Sequence, residues 1–143
     1  MSDEATTPPA SESDHGILFH TNVRLVCFRP VGILDEEAIT SLVQLLEAKE
    51  RVARAPFDRF TDTSKLDATH LDLAFVYRLA LHRRGVYADL PPVKSAFYVT
   101  SVAAARAVEL HARVTENSPL HVRLFEDLDS AAQWLQVARG VLD

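Results

Sequence analysis

The sequence predicts an α/β fold, a mostly parallel five-stranded sheet with an antiparallel edge hairpin and four helices in the order ββαβαβαβα. Three observations carry this. From Pro92 to Ala107 a proline stop precedes an apolar run with Phe97, Tyr98 and Val99, and the period then changes to helical, with Ala104, Ala107, Val108, His111 and Val114 on one face. Ile39, Leu42, Val43 and Leu46 recur at i, i+3, i+4 and i+7, the stripe of a surface helix. Two short apolar runs near residue 20 lie close enough to form a hairpin.

In chain order, Ile17, Leu18 and Phe19 read as a strand, Thr21 and Asn22 as a two-residue turn, and Val23 to Arg29 as the returning strand. Val23, Leu25 and Cys27 face one way and Arg24 the other, an alternation suited to a sheet with one wetter face. Pro30 and Gly32 are expected to break regular pairing. Asp35 caps the first helix, Glu36 and Glu37 lie in its first turn, and it ends between Ala53 and Pro56. Phe57 to Thr61 is the next strand, weakened by Asp58 and Arg59.

Residues 62–72, DTSKLDATHLD, read as a loop, with Thr69 and Asp72 as a capping box for the second helix. Leu73, Val76, Tyr77, Ala80 and Leu81 mark that helix's buried face, and Gly85 supplies its C-terminal turn. Lys94 to Val99 is a strand, Ser101 to about Thr115 a helix whose small alanines let it lie close to a sheet, and His121 to Phe125 the last strand. Asp129 caps a final helix with Ala131, Leu135, Ala138 and Leu142 along one side. Right-handed crossovers place helices over the sheet.

The chain of 143 residues has the size of one domain, and its 48% hydrophobic and 24% charged content is that of an ordinary globular protein. Residues 1–15 carry Asp3, Glu4, Glu12 and Asp14 with no Lys or Arg, and read as a disordered acidic tail before a single domain over 16–143. Of the net charge of -5 the tail accounts for four, so the domain is nearly neutral and no nucleic-acid partner is expected. The start of the chain has no apolar signal region and no stretch long enough to span a bilayer, so the expectation is a cytoplasmic protein without integral membrane association. Cys27, the only cysteine, lies among apolar neighbours and reads as a buried thiol.

Chemical motifs are scarce. The six histidines show no short ligand spacing, so no metal is expected. The four glycines are isolated, which leaves no phosphate-cradling loop, no dinucleotide fingerprint and hence no cofactor. Ser64, Asp67 and His70 crowd one loop, where turn formation explains them better than a catalytic triad, and no enzyme is expected. Thr63, Ser64, Asp67, Thr69 and His70 form instead a candidate interaction or regulatory loop, since a phosphoryl group there would meet Asp62 and Asp67. Arg78, His82, Arg83 and Arg84 form a candidate anion-facing patch, or else a solvated helix C-terminus.

The ending HVRLFEDLDSAAQWL, with Phe125 before an acidic turn and Ala131, Trp134 and Leu135 in the last helix, resembles the closing strand and helix of the SpoIIAA-like branch of the STAS domains, a bacterial group. The element order over residues 17–143 resembles it too. The resemblance implies a compact α/β domain acting through protein contacts, some relatives being suspected of binding lipid. In the phosphorylated antagonists a hydroxyl residue follows an aspartate at the comparable place. Here Asp67 is followed by Ala68, so no phosphosite is carried over to Thr69.

Two functions are therefore expected to compete. The first is a non-enzymatic regulatory or protein-interaction module using the surface from Thr63 to Leu81, its protein partner unidentified. The alternative is binding or carrying a small apolar ligand or lipid in a pocket between sheet and helices, suggested by Phe57, Phe60, Phe75, Tyr77, Phe97 and Tyr98. A homodimer through helices stays open, with no heptad to fix it.

Overall fold

The computed structural model describes residues 16–70 and 72–143. The acidic segment 1–15, expected to be a disordered tail, lies outside them. Strands β1 (Ile17–His20) and β2 (Leu25–Phe28) pair antiparallel, from Ile17 opposite Phe28 to His20 opposite Leu25. Their link is longer than expected: residues 21–24 turn, Arg24 taking a φ of 53°. Thr-Asn lacks the positive-φ residues of a tight two-residue turn, so Val23 and Arg24 leave the strand. All four residues of β2 are buried, because the sheet is covered on both faces rather than wet on one.

The main sheet has the order β1-β2-β4-β6-β7, with β4 (Asp58–Asp62), β6 (Val93–Tyr98) and β7 (Leu120–Phe125) joining β2 in parallel. These are the expected five strands and their edge hairpin. Four helices accompany them: α1 (Glu36–Ala53), α2 (Leu73–Tyr87), α3 (Val102–Val114) and α4 (Leu128–Leu135). Asp35 caps α1 by accepting from the Ala38 N–H at 3.0 Å, Arg54 ends it in the left-handed region, and Ser101 caps α3 at 3.1 Å.

A second, two-stranded parallel sheet was not expected. β3 (Gly32–Asp35) pairs with β5 (Leu66–His70), with an irregularity between Gly32 and Ile33. The segment 62–72 is thus not all loop, and Gly32 does not end pairing. Asp67 and Ala68 are poor strand formers, so this ladder is specified by long-range pairing that local pattern does not show. Thr69 sits in β5, and Asp72 caps α2 instead, accepting from the Phe75 N–H at 2.7 Å.

α2 also differs in its faces. Its buried residues are Ala80, Arg83 and Tyr87, while Leu73, Tyr77 and Leu81 are exposed, and the helix runs past Gly85 to Tyr87. Apolar residues surround this helix, so periodicity alone could not orient it. Asp127, not Asp129, caps α4 by accepting from the Ser130 N–H at 2.7 Å. α4 ends at Leu135, and a 3-10 turn (Arg139–Leu142) rather than continued helix brings Leu142 into the core.

The period of two along each strand divides the core. Leu25, Cys27, Phe60, Ala96 and Phe125 face α4 and the closing turn, forming a dry layer with Ala131, Leu135 and Leu142. Burial pushes the Cys27 thiol up to about 11, which keeps it protonated and inert. On the other face Phe28, Leu34, Leu46 and Phe57 pack with α1, and Val99, Ala104 and Val108 join α3 to the sheet. α2 leans chiefly on α3.

Candidate functional site

Between the α1–α3 side of the sheet and those three helices lies a cavity of about 590 Å³. Strand alternation sets its floor: Phe28 from β2, Arg59 and Thr61 from β4, and Ser95 and Phe97 from β6 point one way, Arg59 lying opposite Ser95 in the register. Ile39, Leu42 and Val43 of α1, Val76 and Leu79 of α2, and Ala107 and Val108 of α3 form apolar walls. Leu66 and Thr69 of β5 reach it as well, so the small second sheet closes one side. Its size and predominantly apolar lining are those of small-molecule sites.

One end is polar. Glu50 is buried on α1 and accepts from the Phe57 N–H at 2.8 Å and from Arg59 Nη2 at 3.2 Å. Tyr87 of α2 donates its hydroxyl hydrogen to Glu50 Oε1 and accepts from Arg59 Nη2. The guanidinium carbons of Arg59 and Arg83 lie 4.8 and 4.9 Å from the Tyr87 ring centroid. Desolvation pushes the Tyr87 phenol up to about 12, so it stays protonated near neutrality. Arg83 pairs with Glu47 at 3.3 Å.

His111 of α3 lies on the cavity wall, edge-on to Phe97 with centroids 5.8 Å apart. Burial, reinforced by the positive charges of Arg83 and Arg59, holds its pKa down to about 4, so the ring is neutral at pH 7. A second hollow of about 660 Å³ is lined by Asp58, Lys94, Glu116, His121, Arg123 and Trp134. Its charges are of mixed sign, and Lys94 Nζ already donates to the Trp134 carbonyl at 2.8 Å.

A structural relative places this architecture. An uncharacterised protein of the DUF3478 family from Shewanella loihica PV-4, with a SpoIIAA-like fold, matches at a TM-score of 0.55 and 22% identity, over 84% of this chain and 90% of that one. The fold is SpoIIAA-like. No family model and no curated protein matches the chain. Within this SpoIIAA-like fold no described helix is long and apolar enough to cross a membrane.

The residues singled out in the sequence are dispersed. Thr63 is buried, donates from its hydroxyl to the Tyr98 carbonyl at 2.7 Å and lines the cavity; Ser64 is exposed, its N–H donating to Asp62 at 2.9 Å. Asp67, Thr69 and His70 are exposed along β5, and of these only Thr69 borders the cavity. The basic group is split. Arg78 and Arg84 are exposed, His82 is exposed and meets Glu47 at 3.0 Å, and Arg83 turns inward.

Arg59, Glu50, Tyr87 and Ser95 drew no functional reading from sequence, and His111 read only as a helix-border residue. A usable signal was present: Glu50 extends the stripe of Leu42, Val43 and Leu46, and a charge at an apolar-stripe position needs a buried partner.

Proposed function

We propose that this SpoIIAA-like domain is a non-enzymatic binding protein for a small, elongated, mainly apolar molecule held between the sheet and α1, α2 and α3. The single observation that carries the reading is the cavity of about 590 Å³. The space opens to solvent on one side, yet it is walled by Ile39, Leu42, Val76, Leu79 and Val108, and so deep an apolar cleft suits an apolar occupant. Native mass spectrometry of protein purified without detergent, with fluorescence of N-phenyl-1-naphthylamine, tests it. An added mass, or probe binding that Ala107→Trp abolishes while the protein stays folded, is expected. No added mass together with no probe fluorescence overturns the reading.

A protein-contact role is the second reading, and the outer side of α2 favours it. Leu73, Tyr77 and Leu81, spaced one turn apart, are 62%, 54% and 46% exposed, an apolar stripe on the helix that follows β5, with Leu73 also bordering the cavity. Pull-down with wild type against Tyr77→Glu, the two giving different partners, would support it. Identical recoveries would remove it.

A further inference from the structure

The polar end of the cavity holds donors that the protein does not satisfy. The Arg59 side chain is only 8% exposed and Nη2 is fully engaged by Glu50 and Tyr87, yet buried Nε and Nη1 have no partner. Buried donors are nearly always hydrogen-bonded, so each exception marks a place where another acceptor belongs. Glu50 and Tyr87 do not line the cavity, whereas Arg59 does, with Ser95 beside it in the register. Arg59 borders the cavity and is held through Nη2 alone, while Nε and Nη1 are sealed in this conformation, so a ligand's acceptor reaches them by a small turn of the guanidinium.

The charges select the acceptor. Among the described lining residues are Arg59, Arg83 and His111, and no Asp or Glu. Burial is the chief cause of the depressed pKa of His111, and the positive charges of Arg83 and Arg59 add to it. Behind the wall, however, Glu50 offsets Arg59 and Glu47 offsets Arg83. Counted together these four groups cancel, so this end offers hydrogen-bond donors rather than net charge, which disfavours a doubly charged phosphate monoester more than a single carboxylate.

We propose that the cavity takes a long-chain aliphatic carboxylate, its head on the unpaired Arg59 nitrogens beside Ser95 and its chain along the walls of α1, α2 and α3. This rests on the cavity being a ligand site. The size agrees: at roughly 30 Å³ per heavy atom, a fatty acid of about twelve carbons needs on the order of 420 Å³, which this cavity of about 590 Å³ can hold.

The test is displacement of N-phenyl-1-naphthylamine from the folded chain at pH 7.5 by dodecanoic acid, dodecanol and dodecyl phosphate, each below its micelle concentration. Dodecanoic acid is expected to displace the probe at about tenfold lower concentration than dodecanol, and to outdo dodecyl phosphate. In the double variant Glu50→Gln with Arg59→Met, which leaves no unpaired charge, the acid's advantage should fall to about threefold or less. Equal displacement by acid and alcohol overturns the carboxylate anchor and leaves the apolar cavity standing. Tighter displacement by dodecyl phosphate overturns the carboxylate in favour of a phosphoryl head. Failure of the probe itself to bind overturns the cavity reading on which the proposal rests. Should the double variant not fold, the comparison on the unaltered chain decides alone.

Discussion

Glu50 and Arg59 meet through one oxygen, Oε2, which accepts from Arg59 Nη2 at 3.2 Å while also accepting from the Phe57 N–H at 2.8 Å. Both side chains are nearly sealed from solvent, at 9% and 8% exposure. One carboxylate thus pins the end of α1, the start of β4 and the cavity's arginine. Removing one charge strands the other in a low-dielectric site, which typically costs about 3–5 kcal/mol, whereas replacing both partners costs far less. Glu50→Ala should lower unfolding free energy by about that amount, and Glu50→Gln with Arg59→Met by less than the single change. Urea denaturation of the two variants and the wild type checks this; a double variant that loses as much as Glu50→Ala or more would show that the pair is not coupled.

The strands and helices of the main layer were legible because each has a clear period and a local stop: Asp35 caps where expected, the third helix begins at Ser101 as its pattern predicts, and residues 93–98 point to two buried faces. The small sheet was not legible. Gly32–Asp35 and Leu66–His70 are short and polar, and what makes them strands is each other, more than thirty residues away in sequence. The site was hidden for a related reason. Arg59 looked like a defect in its strand, and Arg83 like part of a solvated basic run. Both are buried because Glu50, Glu47 and Tyr87 converge from other elements.

Gly16 and Gly85 should respond to alanine with opposite signs. At Gly16 φ is +74° and an added Cβ would lie 2.5 Å from the Arg29 carbonyl oxygen, whose residue's own N–H donates to the Gly16 carbonyl at 2.9 Å. Gly16→Ala therefore strains the backbone and opens the edge hairpin, at a cost of about 1–3 kcal/mol. Gly85 lies inside α2 with nothing within 4 Å of its missing Cβ, so Gly85→Ala should stabilise by about 0.5–1 kcal/mol. Thermal denaturation of the two variants reads both signs; a loss at Gly85 would mean that α2 stops before it.

Ser101 holds the start of α3, accepting from the Ala104 N–H at 3.1 Å directly beneath the cavity wall formed by Ala104, Ala107 and Val108. Ser101→Ala leaves that donor to water and should cost about 1 kcal/mol, whereas Ser101→Asp should be neutral or slightly stabilising. Equal losses in both variants, by chemical denaturation, would show that the side chain acts through something other than the cap.

His111 links the cavity to acid stability. Its pKa falls from 6.5 to about 4 on folding, through burial first and then through Arg83 and Arg59. Between these values the unfolded chain binds the proton and the folded chain does not, so unfolding takes up a proton and stability falls as pH drops. The contribution is fully present above about pH 6.5 and is lost as pH falls through the folded value near 4. The shift corresponds to about 3 kcal/mol at most, an upper bound because the ring is partly exposed on the cavity wall. His111→Phe keeps an aromatic ring beside Phe97 and has no proton to bind, so its stability relative to wild type should improve by up to that amount between pH 6.5 and pH 4. Urea titrations of both proteins across this window measure the difference directly, and parallel pH profiles would mean that His111 titrates as a solvent-exposed histidine does.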